Sequence, residues 1–157
     1  MGKASSGVKL KGFFRVQIID KNTKKVVGDS GYCQNVITDY GFESCIVALP
    51  MKGIANTTQA SYLILGSGTE PATDDTQLNG SNTDQVISFE GLSVVGSMTA
   101  RATAQFEGSD SSMATLRNIG LIAASTGPMI AGNTFASSVF STNQQANATY
   151  ELQFARS

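Results

Sequence analysis

The chain has no histidine, and that absence removes the commonest general base together with the Ser-His and Cys-His nucleophile pairs. Cysteine is nearly missing as well. Cys33 and Cys45 stand without Cys-x-x-Cys spacing, which excludes a tetrahedral zinc site. A disulfide between them stays open on sequence grounds, two buried thiols in a reducing compartment being the simpler reading. Charged residues make up 15% of the chain, against about 25% in an average soluble protein. No apolar run approaches the roughly 18 residues of a membrane span, and the N-terminus lacks the apolar core of a signal peptide. A soluble protein made in the cytoplasm, with no membrane partner, is the expectation.

The polarity that charge does not supply comes from 18 serines, 15 threonines, 9 asparagines and 9 glutamines. Such a surface carries little repulsion to keep copies apart and can be buried against neighbours without desolvating many ions. That suits a protein made to assemble. The net charge of -1 hides a polarity along the chain. Lys3, Lys9, Lys11, Arg15, Lys21, Lys24 and Lys25 are opposed only by Asp20 in the first 25 residues, whereas the remainder has 4 basic and 11 acidic groups. Residues 1 to 11, small and polar, read as a basic assembly arm whose Lys3, Lys9 and Lys11 dock on acidic surface of a neighbour. A solvated Lys-rich strand and turn is the alternative. Nucleic acid is not an expected partner, because there is no arginine cluster and the acidic remainder repels phosphate.

The length of 157 residues fits one domain, expected over residues 12 to 157. Gly12 to Asp20 forms a β-prone run closed by a polar turn, with further strands over Lys25 to Val27 and Tyr32 to Ile37. One amphipathic helix follows over residues 39 to 49. Thr38 or Asp39 is its N-cap, Phe42, Cys45, Ile46 and Leu49 face one way, and Pro50 ends it. Ser61 to Leu65 reads as a short buried strand running into Gly66-Ser-Gly-Thr-Glu-Pro71. There Gly66, Gly68 and Pro71 make a structural turn, the glycines allowing positive φ, and Thr73 caps a single helical turn that aims Leu78 inward. Asn79 to Asp84 reads as loop. Strands are expected over Val86 to Val95, Met98 to Glu107, Met113 to Ala124 and Ala148 to Ala155, the second with Ala100, Ala102, Ala104 and Phe106 on its buried face, and a strand or irregular edge over Met129 to Phe140. The fold class is mainly β: an antiparallel β-sandwich or jelly-roll-like domain with one amphipathic helix packed on a sheet.

Other chemistry fails residue by residue. Gly66 to Gly68 lacks the Gly-Lys-Ser/Thr ending of a phosphate loop and the third glycine of a dinucleotide fold. Asp74, Asp75 and Asp84 lack the alternating oxygen spacing of a calcium loop. A glycosidase needs two placed carboxylates, and any of the twelve acids could be nominated. No enzyme activity, catalytic residue, metal or cofactor is expected.

Three segments in order carry a resemblance. Gly-Phe-Phe-Arg-Val-Gln-Ile-Ile-Asp-Lys-Asn-Thr-Lys-Lys (12 to 25) with Gln-Asn-Val-Ile-Thr-Asp-Tyr-Gly-Phe (34 to 42) resembles the opening of many small tailed-bacteriophage proteins. Leu63-Ile-Leu-Gly-Ser-Gly-Thr-Glu-Pro-Ala-Thr-Asp-Asp-Thr-Gln-Leu78 is similar to their "LGxGTxxPxxxDTxL" loop. Thr115-Leu-Arg-Asn-Ile-Gly-Leu-Ile-Ala-Ala-Ser-Thr-Gly127 is similar to their "TIxExGLFxAxxG" strand. Many of those relatives carry tryptophan in the strands, and this chain has none. The resemblance implies a non-enzymatic virion structural protein with a β-sandwich core. It would be a capsid-surface decoration or cement subunit that binds the shell and its own copies, with the major capsid or tail protein as partner and a homo-oligomeric state. The alternatives are a tail, collar or fibre adaptor, or a host-receptor-binding module hydrogen-bonding sugar through its Ser/Thr/Asn/Gln-rich loops.

Overall fold

The computed structural model describes residues 7–43, 60–96, 98–110 and 115–156. Strand β1 runs over Val8–Asp20, and its period-two pattern puts Phe14, Val16 and Ile18 on one buried face. The Asp20 carboxylate then accepts from the backbone N–H groups of Asn22 and Thr23 at 2.9 and 2.8 Å, while Lys24 takes a left-handed conformation, φ 58°. This turn reverses the chain into β2, Val26–Asp29. The expected third strand is broken at Asn35 into β3, Cys33–Gln34, on the edge of β1, and β4, Val36–Ile37, which crosses to a second sheet. Helix α1 follows over Asp39–Phe42. Thr38 is its N-cap, the hydroxyl oxygen accepting from Gly41 N–H at 3.1 Å, and residues 44 to 49 of the expected helix lie outside the described residues.

The remaining strands are β5 Tyr62–Gly66, β6 Ser81–Ser88, β7 Gly91–Val94, β8 Thr99–Glu107, β9 Thr115–Ile122, β10 Met129–Val139 and β11 Gln144–Arg156. They form two antiparallel sheets, a β-sandwich. The first has the order β2-β1-β11-β8-β7, with β3 also on β1; the second has the order β4-β10-β9-β5-β6. Two expectations are corrected here. Residues 81 to 84 are strand rather than loop, and the single strand expected over Val86 to Val95 is two. The chain passes between the sheets at Phe89 and Glu90, whose N–H groups donate to the carbonyls of Ser61, just before β5 of the second sheet, and of Thr103 in β8 of the first.

The core is built from rows across the sheets. Phe14, Tyr150 and Ala102 share one register, Val16, Ala148 and Ala104 the next, and Ile18, Ala146 and Phe106 a third. Each row thus sets a bulky β1 side chain in line with at least one alanine on β11 or β8, and Leu63, Leu65, Ile119 and Leu121 of the second sheet fill the space above them. The opposite face of the second sheet is also covered. Ile64, Ile122 and Met129 meet Leu78, which the loop after β5 turns inward.

That loop is a fitted part of the structure. Asn118, fully buried on β9, donates through Nδ2 to the carbonyls of Thr69 and Asn79 at 3.1 and 2.8 Å. Gly66 and Gly68 make the turn by close approach rather than by positive φ. A Cβ on Gly66 would lie 2.4 Å from Asn118 Oδ1, and one on Gly68 would lie 2.1 Å from Asn79 O. The left-handed glycine is Gly80, φ 67°. Pro71 is buried against Gly132. The single helical turn expected after it is instead a turn closed by Asp75, whose carboxylate accepts from Ala72 N–H at 2.8 Å, while the Thr73 carbonyl accepts from Asp39 N–H at the start of α1.

Candidate assembly surface

The sandwich is unequal. β1 and β11 are 13 residues long and pair along their whole length, from Val8 with Arg156 to Asp20 with Gln144, whereas β9 at the centre of the second sheet has 8 and its neighbour β5 has 5. At the end where the second sheet starts, near Ala60, the first sheet runs on. Its inward row of side chains continues past the core: Leu152 then Phe154 on β11, Leu10 opposite Phe154, Ala100 on β8 and Val94 opposite Ala100 on β7. Val94 is 77% exposed, Met98 47% and Phe154 40%. A cavity of about 160 Å³ lined by Ala60, Phe89, Ala100, Ala102, Leu121 and Leu152 opens under this apolar lip.

A second apolar patch lies on the opposite edge of the same sheet. Val26 and Val27 of β2 are 51% and 56% exposed, and Val139 at the end of β10 is 69% exposed. Val27, Val139 and Ile18 line one hollow there. Large apolar side chains this open are the informative kind of surface, because folding alone gives no reason to leave them in water.

The outward face of the first sheet is polar and largely satisfied within the chain. Arg15 pairs with Asp29 at 2.6 Å, Lys21 with Glu107 at 2.5 Å and Arg101 with Glu151 at 2.5 Å. Gln17, Gln105 and Gln153 donate to the same three carboxylates. The Arg15 hydrogen bond holds the Asp29 carboxyl far below the usual carboxylate range, and Lys21 does the same more mildly to Glu107. Arg15 also lies over the exposed Tyr32 ring, 5.5 Å from its centre. Paired in this way, these groups offer hydrogen bonds rather than acid–base chemistry. Among the described residues no three His, Cys, Asp or Glu side chains gather into a group that could hold a metal.

The residues singled out from sequence fall in two places. Gly66, Gly68 and Pro71 come together in the loop under Asn118 and act structurally. Lys9 and Lys11 stand exposed on β1, opposite Ala155 and Gln153, so the strand begins four residues before the expected boundary at residue 12; Lys3 lies outside the described residues. Cys33 is a free, half-buried thiol against the core, and Cys45 lies outside the described residues. Sequence reading missed Asn118 and the open valines. It also missed a buried polar group in the core: Tyr150 Oη and both side-chain polar atoms of Asn35 are without hydrogen-bond partners, and both side chains crowd Gly12, where a Cβ would lie 2.7 Å from the tyrosine oxygen and 2.0 Å from Asn35 Oδ1. Burial pushes the Tyr150 hydroxyl well above its ordinary pKa.

No protein-family model matches the chain, and neither the curated proteins nor the solved structures contain a match to it.

Proposed function

We propose that the chain is a non-enzymatic virion structural protein, a decoration or cement subunit of a capsid surface that binds the shell and other copies of itself. The observation that carries the reading is the pair of apolar patches, Val94 with Met98 and Phe154 at one edge of the first sheet and Val26 with Val27 and Val139 at the other. A β-sandwich that leaves such side chains open at two separate places is equipped for contacts with more than one neighbour. The sparse charge lowers the desolvation cost of covering that surface. The ordered phage-like segments supply the setting, a virion.

The test is location. Purified particles of the phage that encodes the chain are separated into heads and tails, and peptides of the chain are counted in each by mass spectrometry. The expected result is stoichiometric recovery with heads, and reassociation of purified protein with heads stripped of it. Recovery with tails alone makes it a tail, collar or fibre component, and absence from both fractions refutes a virion role.

A further inference from the structure

We infer that copies of this chain join head to tail, β7 of one copy lying parallel to β2 of the next so that the first sheet continues from subunit to subunit. The inference rests on the assembly reading and names the surface that performs it. Both strands are edges. β7, Gly-Leu-Ser-Val, and β2, Val-Val-Gly-Asp, end the order β2-β1-β11-β8-β7, and four successive antiparallel steps leave them pointing the same way. Repeating the sheet without turning it over therefore sets β2 of the next copy parallel to β7, with both inward faces on the same side.

Three features fit that arrangement. The first is apolar matching, because both edges leave valines open to water, Val94 on β7 and Val26 and Val27 on β2, and the pairing covers them together. The second is charge. Exposed Glu90 immediately precedes β7 and exposed Lys24 and Lys25 immediately precede β2, so the parallel alignment brings opposite charges together and an antiparallel one does not. The third is the guarding of edges. Where β1 itself becomes an edge, over residues 8 to 11, it presents Lys9 and Lys11, which discourage pairing; β7 carries no charged residue at all. The register also sets a stagger. Gly91 is level with Arg15 of β1 through Thr103 and Thr149, and Val26 is level with Ile19, so successive copies are offset by four residues. At strand rise that is roughly 13 Å, which a tilted ring or a helical row accommodates, and either is heterologous.

The experiment is sedimentation of the full chain with two single variants, Val94→Asp and Val27→Asp, each checked for an unchanged thermal transition. Wild type is expected to form species larger than a dimer, and each variant to weaken association by about tenfold or more. A head-to-tail contact further requires that the two variants mixed form a dimer and nothing larger, since Val27→Asp keeps an intact β7 and Val94→Asp an intact β2. Glu90→Lys should weaken association as well, and mixing it with Lys24→Glu/Lys25→Glu should restore the contact. A wild type that stays monomeric refutes the inference, as does a mixture no larger than its components. So does a Val94→Asp variant that melts lower while its assembly is unchanged, because Val94 is then covered by its own chain. None of these outcomes depends on particles, so a copy-to-copy contact and a capsid location stand or fall separately.

Discussion

Replacing Asn118 with alanine tests whether the loop after β5 is held by one side chain. Asn118 is fully buried and donates to the Thr69 and Asn79 carbonyls at 3.1 and 2.8 Å, while its own Oδ1 accepts nothing. Removing it strands two carbonyls, at about 1–3 kcal/mol each if they stay dry. Thr69 and Asn79 belong to exposed residues, so water reaches part of that cost, and deleting the unpartnered Oδ1 offsets some more. A net loss of about 2–3 kcal/mol follows, which for a chain of this size lowers the melting temperature by about 5–10 °C. Hydrogen exchange locates the effect. Amides held by the loop, such as Ser67 N–H on the Gly80 carbonyl, should exchange faster in Asn118→Ala, while the β1–β11 pairs keep their protection relative to the global transition. A variant within about 0.5 kcal/mol of wild type, the usual spread for an unimportant surface change, would refute the clamp. So would an equal loss of protection everywhere.

Four further outcomes follow from named contacts. Gly68→Ala puts a methyl 2.1 Å from Asn79 O and should cost about 1–3 kcal/mol in chemical denaturation, with no help from flexible neighbours because the clash is with backbone. Tyr150→Phe removes a fully buried hydroxyl that has no partner, so stability should hold or rise by about 1 kcal/mol; a clear loss shows that the hydroxyl is satisfied. Asp29, Asp20 and Glu107 have lowered pKa values, so the stability they contribute is complete above the unfolded carboxylate range and lost as pH falls through their folded values. The melting temperature should be flat from neutral pH to about pH 5 and drop below about pH 4, and Asp29→Asn should shallow that drop. Deleting residues 1 to 11 should lower the melting temperature, because the cut removes four residues that pair with Gln153 to Arg156.

Much of the sandwich can be read from alternation alone. Val16 and Ile18 on β1, Ala102, Ala104 and Phe106 on β8, and Tyr150 on β11 all point where period two sends them. The cap is legible in sequence as Thr38 or Asp39, and the structure makes it Thr38, whose hydroxyl oxygen accepts from Gly41 N–H. Asn118 is not legible, since an asparagine inside Thr115–Ile122 alternates like any outward polar residue. Its burial comes from a loop that folds back from 39 to 49 positions earlier. The positive φ expected at Gly66 and Gly68 failed for a related reason: a glycine shows that something must be absent, but not whether the missing atom would clash with its own backbone or with a neighbour's.

The apolar lip was hidden by strand ends rather than by strand faces. Reading β1 from Gly12 and β11 from Ala148 to Ala155 makes the two sheets nearly equal in reach, and equal sheets leave no overhang. The structure extends β1 back to Val8 and β11 over Gln144–Arg156; of the lip residues the extension adds Leu10, which stands opposite Phe154. A signal was present. Val8, Lys9, Leu10 and Lys11 alternate as strictly as the residues that follow, but the lysines drew them into a charged arm. Burial patterns reward a strand for being covered, so a stretch whose apolar row is left open scores as tail or turn. Exposed Val94 and Val27 mark the reverse case, β-branched residues kept at an edge where folding does not use them. Edge strands without a guarding charge are where a sheet can grow, and β7 is such a strand. Under the head-to-tail inference, β2 of another copy is the strand that continues the sheet there.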